Sequence, residues 1–132
     1  MPASTGAAAK IVLLVDDEDE SRRVTRTMVE SLGYQAFDFR DGEAALDFAS
    51  SRPFQVALVD VRMPQPDGLE VARRLRASIP RCSILMVTGL DDLETRVRSI
   101  EAGADDVIVK PVEFSLLGAR LRTLLEQRER LE

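Results

Sequence analysis

Five short apolar segments alternate with five helical patterns along this chain of 132 residues, and this alternation constrains the fold more than any other feature. The apolar segments are rich in valine, isoleucine and leucine, which is typical of strands buried in a sheet. They are predicted at residues 10–15, 34–39, 55–60, 83–87 and 105–109. The helices are predicted at residues 20–32, 42–49, 69–77, 91–102 and 112–131. This order predicts an α/β fold of the (βα)5 type, a doubly wound five-stranded parallel sheet with right-handed crossovers and helices on both faces.

The first helical pattern also predicts which side of its helix faces the sheet. Val24, Met28 and Leu32 recur at helical spacing and form one apolar stripe. Gly33 follows this helix and Gly103 follows the fourth, and glycine in such a position is a common helix stop.

Length and composition indicate a single domain. The net charge of −5 argues against nucleic acid as a direct partner, because nucleic-acid binding needs a basic patch. One cysteine, Cys82, excludes an internal disulfide bond and suits a reducing compartment. No apolar stretch approaches the ~20 residues of a membrane span, and the start of the chain lacks the apolar core of a signal peptide. We therefore expect a cytoplasmic protein with no membrane partner.

The chain divides into three parts on the same grounds. Residues 1–9 are small and polar, and we expect a disordered lead there. Residues 10–126 should form the domain. Residues 127–132 end the last helix without a helix stop, and we expect a linker to a further domain to begin there.

Polar side chains end or follow four of the predicted strands. Asp16 and Asp17 come after the first, Asp60 ends the third, Thr88 comes after the fourth and Lys110 after the fifth. The carboxyl ends of parallel strands share one edge of the sheet, where such folds bind ligands. Three acids together suit a divalent cation, and a lysine beside a hydroxyl suits an anion with several oxygens. A metal ion with a phosphoryl group satisfies both requirements.

Each of these residues also has an ordinary structural interpretation. Asp16 and Asp17 can be N-cap residues of the following helix, a common use of aspartate. Asp60 can be a turn former before the proline-containing loop, Thr88 a β-branched strand end, and Lys110 a solvated strand terminus. These interpretations are adequate one at a time, but the joint placement of all five at one edge favours a functional site.

The residues around these positions resemble the receiver domains of two-component response regulators. The resemblance extends from about residue 10 to residue 125 and implies a flavodoxin/CheY-like fold. It is carried by five motifs in the family's order: Val15-Asp16-Asp17-Glu18, Val59-Asp60-Val61-Arg62-Met63-Pro64, Val87-Thr88-Gly89, Gly103-Ala104-Asp105-Asp106 and Lys110-Pro111.

The resemblance implies a phosphorylation site and its cation. Asp60 would be the phosphoacceptor, which takes a phosphoryl group from a kinase phosphohistidine as an acyl phosphate. Asp17 and Asp60 would bind Mg²⁺ directly, Asp16 through a water molecule, and Arg62 through its backbone carbonyl. Oxygen ligands with retained waters are what Mg²⁺ prefers in proteins.

The resemblance also implies how the phosphoryl group is stabilised and sensed. Lys110 would pair with a phosphoryl oxygen, and a cis peptide bond before Pro111 would direct Lys110 into the site. Thr88 would be the switch, because its hydroxyl reaches a phosphoryl oxygen only by moving inward with the following loop. Gly89 would keep the approach to Asp60 open.

The chain departs from the family at Val107. Most receivers have tyrosine or phenylalanine three residues before the lysine, and that ring moves inward when the threonine moves. Valine has no ring, so the aromatic half of the usual switch is missing here, and we expect the signal to be read in another way.

The last strand and helices match a dimer surface in part. Asp106 and Arg120 match an ion pair that crosses the dimer interface in the receivers of many transcription factors. Arg96 also matches such a position, but Leu116 replaces its acidic partner. We therefore expect a homodimer through the last strand and helices.

Three classes of function remain open from the sequence. The first is a receiver that accepts phosphate from a sensor histidine kinase or phosphotransfer protein, stands alone or begins a longer response regulator, and catalyses only its own phosphorylation and dephosphorylation. The second is a phosphatase of the Asp-x-Asp type, which Arg62 in place of the second acid argues against. The third is a degenerate receiver that acts as a phosphorylation-independent interaction module, which the five retained site residues argue against.

Overall fold

The computed structural model describes residues 10–131, and the side chains of residues 10–129. Five strands and five helices alternate as the sequence predicted. The elements are β1 (Ile11–Val15), α1 (Asp19–Ser31), β2 (Gln35–Phe39), α2 (Gly42–Ser51), β3 (Val56–Asp60), α3 (Gly68–Ser78), β4 (Ser83–Thr88), α4 (Leu93–Glu101), β5 (Asp106–Val109) and α5 (Phe114–Leu131). The expected lead at residues 1–9 lies outside the described residues.

All five strands are parallel and form one sheet in the order β2-β1-β3-β4-β5. The three central strands are buried on both faces, which is why their sequences are continuous apolar runs. Leucines of α5 and Val29 of α1 cover one face. Helices α2 and α3, with Ala102 and Ala104 after α4, cover the other face. The predicted doubly wound (βα)5 sheet is confirmed.

Aspartates begin three of the helices by capping free backbone amides. The carboxylates of Asp41, Asp67 and Asp92 each accept a hydrogen bond from the amide three residues later, at 2.8, 2.9 and 2.7 Å. Asp92 therefore places the start of α4 at Leu93, two residues later than predicted, and α5 likewise begins two residues later than predicted. Gly33 and Gly103 have φ angles of +95° and +110°, as expected for glycines that end helices.

The predicted stripe of α1 is wrong by one position on the helix. Val24 is exposed, whereas Thr25 and Val29 are the buried residues of α1. Met28 and Leu32 pack against the core only in part. The helix is thus rotated so that a threonine replaces a valine at the sheet.

Helix α4 packs against the domain through Ser99, its one buried residue. Ser99 is fully buried, whereas Leu93, Val97 and Ile100 are 76%, 45% and 53% exposed. This orientation leaves an apolar stripe on the surface beside β5. Within the described residues, no helix is both long and apolar enough to cross a membrane.

Candidate functional site

Three carboxylates meet at the carboxyl edge of the sheet. Asp16 follows β1 and Asp60 ends β3, the two neighbouring central strands, and both side chains are buried. Asp17 follows Asp16 and is exposed. Each of the three offers a carboxylate oxygen, and these oxygens lie within 4.8 Å of one another. That spacing and chemistry fit a divalent cation that prefers oxygen ligands.

Lys110 reaches the same place from the end of β5. Its Nζ lies 2.9 Å from Asp60 Oδ2, 3.4 Å from Asp16 Oδ2 and 3.9 Å from Glu18 Oε1. The peptide bond to Pro111 is cis, as expected. Burial acts to lower the pKa of Lys110, but the hydrogen bond with Asp60 and the charges of Asp60 and Asp16 outweigh it and raise that pKa. The site therefore holds a permanent cation against the Asp60 carboxylate.

The pKa of Asp60 is raised from 3.8 to about 6. Burial is the main cause, and the neighbouring charge of Asp16 adds to it, while the hydrogen bond from Lys110 acts in the opposite direction. The Arg62 amide donates a further hydrogen bond to Asp60 Oδ1 at 3.2 Å. The bonds from Lys110 and the Arg62 amide therefore do not fully offset the burial of the Asp60 carboxylate, and an additional cation would stabilise its ionised form.

The two acids after β1 are held differently. Asp16 Oδ1 accepts a hydrogen bond from the Glu18 amide at 3.0 Å, and its Oδ2 accepts one from the Ser21 hydroxyl at 2.7 Å. The N-cap residue of α1 is Glu18, so neither aspartate has the N-cap position that the alternative interpretation assigned to it. The carboxylate of Asp17 has no hydrogen bond or ion pair within residues 10–129.

Thr88 and Gly89 lie at the end of β4. The Thr88 side chain is buried, and its Oγ1 accepts a hydrogen bond from the Leu90 amide at 3.0 Å. The Lys110 amide donates to the Thr88 carbonyl at 2.7 Å, which joins β4 to the lysine-bearing loop. A Cβ atom built at Gly89 would meet nothing within 4 Å, so packing does not require glycine there. The roles of Thr88 as switch and Gly89 as open approach stay predictions.

Arg62 lies on the same side of the site as Asp17. Its exposed side chain lines a cleft of about 490 Å³ together with Asp17, Met63, Leu90 and Arg98. The cleft opens beside the exposed Asp17, so molecules in solution can approach the carboxylates from this side.

Gly68 supports the site through its close packing against the backbone of Asp60, a role that the sequence pattern did not predict. A Cβ atom at this position would lie 2.0 Å from the carbonyl oxygen of Asp60 and 2.7 Å from Cα of Val61. Only glycine lets the start of α3 approach the end of β3 so closely. The signal available in the sequence was the Asp67-Gly68 pair directly before an apolar helical pattern.

The remaining predicted residues lie away from the carboxylates. Val107 is buried in the core on the side of α2 and α3. Arg120 Nε lies 3.0 Å from Asp106 Oδ2 in the same chain, and Arg96 pairs with Asp91 at 2.9 Å. The groups expected to pair across a dimer interface thus have partners within one chain.

The chain matches the family model of the response regulator receiver domain over residues 12–122. It is 43% identical over 117 residues to the response regulator MprA of Mycolicibacterium vanbaalenii. That alignment covers 88% of this chain and 50% of MprA. It is 36% identical over 117 residues to a cyclic di-GMP phosphodiesterase of Thermotoga maritima, which covers 89% of this chain and 31% of that protein. A solved CheY-like receiver domain protein from Methanospirillum hungatei aligns with a TM-score of 0.90 at 30% identity, over 95% of this chain and 100% of its own.

The chain therefore belongs to the response regulator receiver domain family of two-component systems, and the predicted resemblance is confirmed. The strand order β2-β1-β3-β4-β5 is that of the CheY-like flavodoxin fold, which confirms the predicted fold class. Receiver domains bind Mg²⁺ at an aspartate cluster such as the one described above. The chain spans about half the length of MprA and about a third of the phosphodiesterase.

Proposed function

We propose that this domain accepts a phosphoryl group on Asp60 from the phosphohistidine of a sensor kinase or phosphotransfer protein. The observation that carries the proposal is the pairing of Asp60 with Lys110 at 2.9 Å beside two further carboxylates. Asp16 and Asp60 are both buried, but the Asp60 carboxylate lies closer to Lys110 Nζ, at 2.9 Å against 3.4 Å for Asp16. A phosphoryl group on Asp60 would therefore lie against the positive charge of Lys110.

The chemistry needs one bond to form and one to break. A carboxylate oxygen of Asp60 attacks phosphorus, the phosphorus–nitrogen bond of the phosphohistidine breaks, and the electron pair leaves with the imidazole. Lys110 offsets the charge on the phosphoryl oxygens as it develops, and the Arg62 amide orients the carboxylate through Oδ1. Hydrolysis of the acyl phosphate by water restores the aspartate.

Mg²⁺ would be held by Asp17 and Asp60 directly, by Asp16 through water and by the carbonyl of Arg62. When bound, it supplies positive charge to the phosphoryl oxygens. The spacing of the three carboxylates supports this assignment. The chain's own groups hold the reactants in place and turn over no external substrate.

Intact mass after incubation with acetyl phosphate and Mg²⁺ tests the proposal. We expect the wild-type domain to gain one phosphoryl group, and Asp60→Asn to gain none. Addition of EDTA should prevent the gain, and Asp17→Ala should lose the Mg²⁺-dependent gain because it lacks a metal ligand. A wild-type domain that binds Mg²⁺ but is labelled neither by acetyl phosphate nor by a phosphorylated histidine donor would favour the phosphorylation-independent interaction module. Release of phosphate from a generic phosphate ester would instead favour the phosphatase.

Phosphorylation would be sensed through Thr88 without an aromatic partner. The hydroxyl of Thr88 must exchange its bond to the Leu90 amide for one to a phosphoryl oxygen, which moves the loop after β4. Val107→Ala should leave the rate of labelling within about twofold of wild type, because position 107 lies in the core and carries no ring. A tenfold loss of rate in a folded Val107→Ala protein would contradict this account.

A homodimer of phosphorylated domains is the partner that the exposed surface of α4 favours. The apolar stripe of Leu93, Val97 and Ile100 lies beside β5 and the Asp106–Arg120 ion pair. Sedimentation with and without beryllofluoride, a phosphoryl mimic, tests the proposal. We expect dimers only with the mimic, and Val97→Glu should prevent them. The acidic domain itself should not bind nucleic acid.

A further inference from the structure

The position of Asp17 depends on the backbone that carries it. Its carboxylate is exposed and has no hydrogen bond or ion pair within residues 10–129, whereas Asp16 and Asp60 are both buried and bonded. Nothing bonded to the side chain therefore keeps Asp17 beside the other two acids. The peptide group after Asp17 is held by the hydrogen bond from the Glu18 amide to Asp16 Oδ1 at 3.0 Å, so the peptide group between Asp16 and Asp17 is the remaining one that sets the direction of the Asp17 side chain.

Arg22 of α1 holds that peptide group. Its Nη1 donates a hydrogen bond at 2.8 Å to the carbonyl oxygen of Asp16, which belongs to the same peptide group as the Asp17 amide. On the other side of the same residue, the Asp16 amide donates to the carbonyl of Phe39 at 3.1 Å. The backbone at Asp16 is thus anchored at both ends, by α1 and by β2.

The guanidinium of Arg22 is itself fixed. Its Nε donates to Asp38 Oδ2 at 3.0 Å and its Nη2 to Asp19 Oδ1 at 2.8 Å, and its side chain is 17% exposed. Arg26 bonds the other oxygen of Asp38, which holds Asp38 in place on β2. Three acceptors arranged around one planar group leave the guanidinium little freedom to turn.

We propose that Arg22 is a positioning residue that sets the affinity of the site for divalent cations by holding the Asp16–Asp17 peptide group. The inference rests on the proposed Mg²⁺ site and deepens it. The hydrogen bonds of Arg22 go to Asp38, Asp19 and the Asp16 carbonyl, and none goes to a carboxylate that would bind the cation. Its effect passes through the peptide carbonyl to the direction of the Asp17 side chain.

Replacing Arg22 removes both its positive charge and its hydrogen bond to the Asp16 carbonyl, and these two losses should change the affinity for the cation in opposite directions. Removing a positive charge near an acidic cluster favours cation binding by Coulomb attraction. Releasing the peptide group disfavours binding, because Asp17 must then be reordered when the cation arrives. Loss of an outer partner of a metal ligand typically weakens metal affinity about 10–100-fold. If Mg²⁺ binds more weakly after the positive charge of Arg22 is removed, the role of Arg22 is therefore to position the site.

Arg22→Met is the test variant and Arg26→Met is its matched control. Both replacements remove one positive charge from α1 and one bond to Asp38, but only Arg22 contacts Asp16. Mg²⁺ alone is titrated into each protein by calorimetry. We expect the Kd of Arg22→Met to rise about tenfold and that of Arg26→Met to stay within about twofold of wild type. Equal or tighter binding by a folded Arg22→Met protein would overturn the inference.

A second readout needs no cation. The amide-nitrogen resonance of Asp17 and the carbonyl-carbon resonance of Asp16 should shift in metal-free Arg22→Met, with a lower backbone order parameter at Asp17, and should not change in Arg26→Met. Arg22→Lys keeps the charge, but its single nitrogen cannot reach acceptors that three separate guanidinium nitrogens now serve, so its Kd should lie between those of wild type and Arg22→Met. If wild type binds no Mg²⁺, the proposed cation site is wrong. Unchanged order at Asp17 would refute the role of Arg22 independently of that result.

Discussion

Replacing Asp60 with asparagine should stabilise the metal-free domain at neutral pH. Burial and the neighbouring charge of Asp16 raise the pKa of Asp60 from 3.8 to about 6, even though Lys110 acts in the opposite direction. The ionised carboxylate is therefore less stable in the folded protein than in the unfolded chain. Asparagine has nearly the same size, and its amide oxygen can still accept a hydrogen bond from Lys110.

The sign of the effect follows from where the proton binds. Below about pH 4 the carboxyl group is protonated in both states and contributes nothing to the pH dependence. Between about pH 4 and pH 6 the unfolded chain loses this proton while the folded protein keeps it, so the free energy of unfolding falls as the pH rises. Above about pH 6 the loss is complete.

The size of the effect follows from the change in pKa. A difference of about two units corresponds to at most about 3 kcal/mol, at about 1.4 kcal/mol per unit. Solvent at the open side of the site screens part of this, so we expect Asp60→Asn to raise the free energy of unfolding by about 1–2 kcal/mol at pH 8. For a domain of this length the corresponding rise in Tm is about 3–8 °C.

Urea denaturation followed by far-UV circular dichroism, with EDTA present, measures this difference. Asp47→Asn is the matched control, because Asp47 is exposed on α2 and its replacement changes the net charge equally. The stabilisation by Asp60→Asn should shrink severalfold at pH 4, and Asp47→Asn should stay within about 0.5 kcal/mol of wild type. An Asp60→Asn protein that is less stable than wild type at pH 8, or equally stabilised at both pH values, would refute the reasoning.

Three further predictions follow from packing. Leu121→Ala removes a fully buried side chain of α5 and should lower the free energy of unfolding by about 2–5 kcal/mol in urea; a loss below 1 kcal/mol would contradict its place in the core. Gly68→Ala places a Cβ against the backbone of Asp60 and should destabilise the domain and slow labelling by acetyl phosphate, whereas unchanged labelling would show that α3 can move aside. Burial raises the pKa of the Cys82 thiol, so iodoacetamide should modify Cys82 only in denaturant, and rapid modification of the native protein would contradict its burial.

The order of elements and the residues at the strand ends could be predicted because both depend on local patterns. Continuous apolar runs identify buried strands, and parallel topology brings their carboxyl ends to one edge whatever the details of packing. Asp16, Asp60 and Lys110 therefore converge as expected, although the distances between them required the structure.

The orientation of the helices could not be predicted in the same way. Apolar spacing on α1 indicated Val24, yet Thr25 and Val29 face the sheet. On α4 the apolar residues point outward and Ser99 points inward. The rotation of a helix about its axis is decided by the volumes of the neighbouring elements, and a small residue that fits closely replaces a large one that does not.

The sequence by itself determined the fold class, the strand ends that carry the acids and the lysine, and the family. Only the tertiary structure revealed that Arg22 bonds the carbonyl of Asp16, and that Gly68 packs against the carbonyl of Asp60. These contacts join side chains and backbone from different elements, and their geometry depends on loop paths and helix rotations together. No periodicity within one segment contains that information, because it arises only when the segments pack.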